Sequence, residues 1–255
     1  MADLDWWGLF GAAFGGAFSA PMLQFAYREI KEWRSRRRNH LRQVDLSLEP
    51  LLRAADELAA KLRSLGERDF LPIRGRSNYS LDDSAVASVV YLFVQFWAEV
   101  EIVRFNGLSA DIARSDKGKQ VQNFLICLQS RRVRLIDRIS QRALGEVALS
   151  CGRTMNFVEF VKNVGSEPLA GRWLAPLIGV LGGLDQGDSR QKVLRYMVVL
   201  HALIDTLDHD HAVTRDRPGI PNKLNTASRK ALQFRVFGVY LKFVSKPSKY
   251  IGPLF

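Results

Sequence analysis

The chain opens on an uninterrupted apolar stretch: from Trp6 to Tyr27 there is no Asp, Glu, Lys or Arg. About 22 residues at about 1.5 Å each reach roughly 33 Å, enough to cross a hydrocarbon core of about 30 Å. The pattern predicts a transmembrane helix within an N-terminal anchor, residues 1–27. Asp3 and Asp5 precede the stretch and no cation does, which argues against a cleaved signal peptide. Arg28, Lys31, Arg34, Arg36, Arg37, Arg38 and Arg42 follow it, in a basic juxtamembrane helix over 28–45. The positive-inside rule then places the N-terminus outside and the bulk of the chain in the cytoplasm, as a single-pass protein of the plasma (inner) membrane.

Small residues recur along the anchor. Gly8, Ala12, Gly16 and Ala20 form one row, and Gly11, Gly15 and Ser19 a neighbouring one. Such rows let two helix backbones approach closely, so the anchor is expected to self-associate and the protein to be a homo-oligomer.

Beyond the basic stretch the period changes to one of packed helices. Leu41, Val44, Leu48, Leu51, Ala55, Leu58, Leu62 and Leu65 alternate spacings of three and four. A dimerising stalk would give this pattern, but Pro50 with Ser47 as an N-cap favours two helices, or one kinked helix, packing inside a domain. Residues 66–80 read as a loop. Asp82, Asp83 and Ser84 then cap an apolar helix containing Val89 to Phe96, which ends too soon, at Glu99 and Glu101, to be a second span. A buried central helix is expected instead. Further helices are predicted at 119–129, 133–149, 155–164, 167–181, 188–207 and 226–244, with Ser166 and Asp188 as caps. No segment alternates strictly, so the reading is all-α: one N-terminal transmembrane helix followed by a cytoplasmic multi-helix domain over 46–216.

Three runs, Val89 to Arg104, Gln141 to Val147 and Ala202 to Asp208, give the chain a likeness to known sequences. Over roughly residues 20 to 210 it resembles uncharacterised bacterial proteins, many of them actinobacterial, that have a hydrophobic N-terminal helix and a helical body. The resemblance implies membrane location and helical architecture; it carries over no activity and no site residue.

Composition and charge refine this picture. With 47% hydrophobic and 25% charged residues in 255, the chain is that of a folded protein. Its net charge of +11 sits at the ends, and residues 217–255 hold eight cations and no anion. Phe234, Phe237, Tyr240, Phe243, Tyr250 and Phe255 interleave with those cations. Cations with aromatics suit anionic lipid or nucleic acid. The nearby leaflet favours membrane lipid, bound by Arg34, Arg36, Arg37 and Arg38 together with Lys242, Lys246 and Lys249. In a plainer alternative, Phe234, Phe237, Leu241 and Val244 complete the core and the cations form its solvated face.

Catalytic patterns are mostly missing. There is no GxGxxG, no GxxxxGKS/T and no GxSxG, and Cys127 and Cys151 are expected as free thiols in a reducing compartment. One constellation bears on chemistry: His201, Asp205 and Asp208 fall at i, i+4 and i+7 on a helix, with His209 and His211 just beyond. Imidazoles and carboxylates on one helical face are candidate ligands for a divalent metal, and a metal-dependent hydrolase is the alternative function. The plainer reading is a polar helix end. No catalytic residue and no cofactor is assigned. The expected function is association, as an interaction module, scaffold or membrane effector with an unidentified protein partner; nucleic-acid binding through the C-terminal segment is a further alternative.

Overall fold

A computed structural model describes residues 48–76, 79–105, 115–166 and 168–253, without the side chains of 165–169. The anchor with its glycine rows, the basic stretch with Arg34 to Arg38, Ser47, the capping side chain expected at Ser166, and Phe255 lie outside the described residues. The chain divides into two units, Met1–Ser47 and Leu48–Phe255, and the described residues all belong to the second.

The described residues form an all-α body. Helix α1 spans 48–67. Its three-and-four pattern faces inward, with Leu48, Leu51, Ala55, Leu58, Leu62 and Leu65 buried, so this seam packs within the domain. Helix α2, Ser84–Phe105, starts where Asp83 accepts hydrogen bonds from the Ala85 and Val86 amides, leaving Asp82 to the preceding turn. It is long and apolar enough to cross a membrane by length and composition, yet the body encloses it on nearly every side, from Val86 to Val103. An all-round apolar helix needs partners all round, and here they are helices.

Helix α3, Asp116–Leu128, begins three residues earlier than the apolar pattern indicates, because Ser115 caps it through the Gly118 amide. The helix expected over 133–149 is shorter. Residues 130–136 form turns whose Val133, Leu135 and Ile136 are buried, and Asp137 caps the true helix, α4, Arg138–Val147. A two-stranded antiparallel hairpin follows, β1 (Leu149–Ser150) and β2 (Arg153–Thr154), where no strand is expected from the pattern. Its two-residue turn has positive φ at both Cys151 (51°) and Gly152 (76°), the backbone shape that matches the twist of paired strands. In strands this short, alternation has no length in which to appear.

Helix α5, Phe157–Ser166, opens with a reciprocal capping box: Asn156 accepts from the Glu159 amide and Glu159 from the Asn156 amide. Helix α6 is Pro168–Gly182, and α7 is Gly187–Leu207. Asp188 lies in the first turn of α7 and is not its cap; that position is Gln186. Helix α8, Thr226–Ala231, widens into a π turn at Leu232–Phe237, and the chain then turns until a short α9, Ser248–Ile251. The single helix expected over 226–244 therefore ends at Phe237.

Helices α2 and α7 hold the centre together. The Trp97 indole donates to the Tyr196 hydroxyl at 2.9 Å, and Phe93 packs against both rings. Helix α4 crosses α2 at Gly145, where a Cβ would lie 2.7 Å from the Trp97 carbonyl oxygen. The segment after 217 is part of this body: Leu232, Val236, Phe237, Leu241, Val244, Tyr250 and Ile251 are buried, and Phe243 meets Phe124 of α3 edge-on.

Candidate functional site

The described site begins where α7 stops. Asp208 is the C-cap, with φ of −128°, and its side chain leaves the helical face on which i+7 spacing would put it. Its carboxylate accepts from the amides of Ala212, Val213 and Thr214 and from the Thr214 hydroxyl, at 2.8 to 3.0 Å. Burial works to raise its pKa, and these hydrogen bonds outweigh burial, so the group stays below its usual value. Asp208 thus serves as the organiser of loop 209–214, with both its oxygens engaged there.

His201 is directed elsewhere as well. It is 6% exposed, its Nε2 finds no hydrogen-bond partner among the described residues, and burial drives its pKa down to about 4. The ring is neutral at ordinary pH and belongs to the core.

Asp205, half-buried one turn further on, meets the chain's last segment. Its Oδ2 accepts from Lys249 Nζ at 2.6 Å and from the Tyr250 hydroxyl at 3.0 Å. Burial, then the Asp205 charge and hydrogen bond, push the Tyr250 phenol far above its normal pKa. His211 has a left-handed backbone, φ 50°, which histidine tolerates better than most residues. That turn brings its Nε2 to 3.7 Å from Asp205 and 3.6 Å from Asp216, with Nδ1 3.2 Å from the Thr214 hydroxyl.

The expected metal constellation is therefore dispersed. His201 lies in the core, Asp208 in a loop cap and Asp205 in an ion pair, and no group of three or more His, Cys, Asp or Glu side chains suited to a metal occurs among the described residues. Asp205, His209 and His211 instead border an open cleft of about 560 Å³, whose opposite wall is Phe243 to Lys246 with Lys249 and Tyr250. Two features that are separate in the sequence, the His/Asp cluster and the basic C-terminal segment, share this cleft. Neither spacing nor composition signals the meeting, because Asp205 and Lys249 are 44 residues apart.

The basic segment itself divides in two. Arg217 pairs with Asp56, Lys223 with Asp69 and Lys249 with Asp205, and Arg229 donates to the carbonyls of Leu224, Pro221 and Pro253. Lys249, expected to present its charge beside Lys242 and Lys246, directs it at Asp205. Lys230, Arg235, Lys242 and Lys246 make no ion pair among the described residues, and their side chains reach solvent. Phe234 and Val239, both more than half exposed, lie between them in sequence. The plainer expectation holds for Phe237, Leu241 and Val244, which are core, while Phe234 at 65% exposure is not.

Both cysteines are free: Cys151 is exposed at the hairpin turn, and Cys127 is buried, its thiol pushed up to about 12 by desolvation. Cys127 is thus no nucleophile. The chain matches no protein family, no curated protein and no solved structure.

Proposed function

We propose that this protein works by association at a membrane: a helical domain on the cytoplasmic side of the plasma membrane, tethered by its apolar N-terminal stretch and seated on anionic lipid through its C-terminal segment. Membership of the bacterial set it resembles, self-association of the anchor and an unidentified protein partner are parts of the same reading. The observation that carries it is the pattern of Lys230, Phe234, Arg235, Val239, Lys242 and Lys246, which reach solvent and have no carboxylate partner among the described residues. Exposed cations with protruding apolar side chains bind an anionic interface by two additive terms, attraction to the charged surface and burial of apolar area. A segment without a single acidic residue between Arg217 and Phe255 has nothing of its own to repel such a surface.

A fragment of residues 44–255, which includes the whole compact unit Leu48–Phe255, tests the reading. It is expected to sediment with vesicles containing phosphatidylserine, to be released as salt is raised, and to remain in solution with neutral vesicles. Phe234→Ala with Arg235→Gln should lower the bound fraction severalfold. Binding to RNA or DNA with indifference to anionic vesicles would assign the segment to a different polyanion.

A further inference from the structure

We infer that the cleft beside Asp205 binds a phosphate monoester, either as a lipid headgroup or as a soluble phosphate ester. The inference rests on the membrane reading only for the headgroup as source; the chemistry of the cleft stands apart from it. At about 560 Å³ the cleft has the size of a small-molecule site and is far larger than a bare phosphate needs. Phe243 and Val244 supply an apolar wall for the carbon part of an ester, and the exposed Ser245 offers a hydroxyl.

The charges decide the class of ligand. Two carboxylates border the cleft, Asp205 within it and Asp216 at its exposed rim. Asp205 holds Lys249 and Tyr250; Asp216, 74% exposed, stands 3.6 Å from His211. Lys246, and His209 just past the end of α7, have no side-chain partner among the described residues. Lys249 adds further donors, since an ammonium has three N–H groups and Asp205 uses one. A cation would find Asp205 already engaged by Lys249 and Tyr250, with only the solvent-facing Asp216 left to it. A dianion with several acceptor oxygens finds donors still open to it, which is the complement a phosphate monoester requires.

The full chain contains only four histidines, and two of them, His209 and His211, line this cleft, so their ring signals report binding directly. Full-length protein in a non-ionic detergent, with isotope-labelled histidine, is titrated with glycerol 3-phosphate and with inorganic phosphate. Saturable movement of the His209 and His211 signals is expected, with the buried His201 still, and glycerol 3-phosphate should bind several times more tightly than inorganic phosphate. Lys246→Gln should weaken the ester about tenfold, the usual effect of losing one charge-assisted contact, while Lys230→Gln, outside the cleft, should leave it unchanged. His209→Ala, read through His211, supplies a second variant. Micelles doped with phosphatidic acid, compared with phosphatidylserine at equal charge, separate the sources. Stronger binding of phosphatidic acid assigns the headgroup, and equal binding with a saturable soluble ester assigns the free ester. No saturable response to either phosphate probe, or an unchanged affinity in Lys246→Gln, overturns the site. If the ester binds while residues 44–255 ignore anionic vesicles, the site stands and the membrane reading falls; the reverse result leaves the membrane reading alone.

Discussion

Lys249 Nζ lies 2.6 Å from Asp205 Oδ2, and through this contact α9 closes against the last turn of α7. The pair is unequal: the lysine is half exposed, whereas Asp205 is 14% exposed and also accepts the Tyr250 hydroxyl. Removing the anion therefore strands two donors, and removing the cation strands little.

Asp205→Ala is accordingly expected to cost on the order of 1–2 kcal/mol, and Lys249→Met less than about 1 kcal/mol, because water already screens the exposed ammonium. Urea denaturation of the two variants reads the difference. Equal losses would mean that Tyr250 takes no part in holding Asp205.

Asp208 supports loop 209–214 through four hydrogen bonds. Asp208→Ala should destabilise by about 2–3 kcal/mol and disorder the loop, while Thr214→Val, which removes only the hydroxyl contact, should cost about 1 kcal/mol. Amide exchange at Ala212, Val213 and Thr214 is the sharper measurement. Protection that survives in Asp208→Ala would show that the loop is held by other contacts.

Gly145 reverses a familiar rule. Alanine in place of glycine inside a helix ordinarily stabilises by about 1 kcal/mol. Here the new methyl would lie 2.7 Å from the backbone oxygen of Trp97, at the crossing of α4 on α2, and backbone cannot step aside as a side-chain tip can. Gly145→Ala is expected to lower stability by about 2 kcal/mol or more, seen as a lower midpoint in thermal or urea unfolding. A gain in stability would refute the close crossing.

His201 gives the protein a pH window. In the unfolded chain its imidazole titrates near 6.5, whereas burial in the fold holds it down to about 4. Between these values the unfolded state binds a proton that the native state refuses, so stability is full above about pH 6.5 and falls on acidification. The loss reaches roughly 3 kcal/mol by pH 4. His201→Gln should flatten the pH dependence of the urea midpoint over this range. Parallel curves for variant and parent would place the acid sensitivity in another group.

Legibility in the sequence followed the range of the interactions. Helix α7 stands where its periodicity puts it, since Gly187 and the apolar spacing act within a few residues. The stretch 133–149 satisfies the same periodicity, but Val133, Leu135 and Ile136 are buried from a turn, and only Asp137 signals the real start of α4. The i, i+4, i+7 face of His201, Asp205 and Asp208 assumes a helix that continues; it ends at Leu207, and Asp208 swings into a loop. The cleft was hidden for another reason. Its second wall is supplied by residues 243–250, and no local pattern records which part of a chain returns to which.

The widened turn at Leu232–Phe237 has a bearing on how this domain can change over evolutionary time. The widening falls at the end of the helix: α8 passes into it, and beyond Phe237 the chain continues in turns. The Gly238 amide reaches back five residues to Gln233, Leu232, Val236 and Phe237 stay in the core, and Phe234 faces solvent. Inheritance therefore acts on two sides of one segment under different rules. Inward positions are constrained by packing, while the outward ones can exchange side chains with little strain on the fold, so a descendant could be fitted to a new surface by redrafting that outer edge alone.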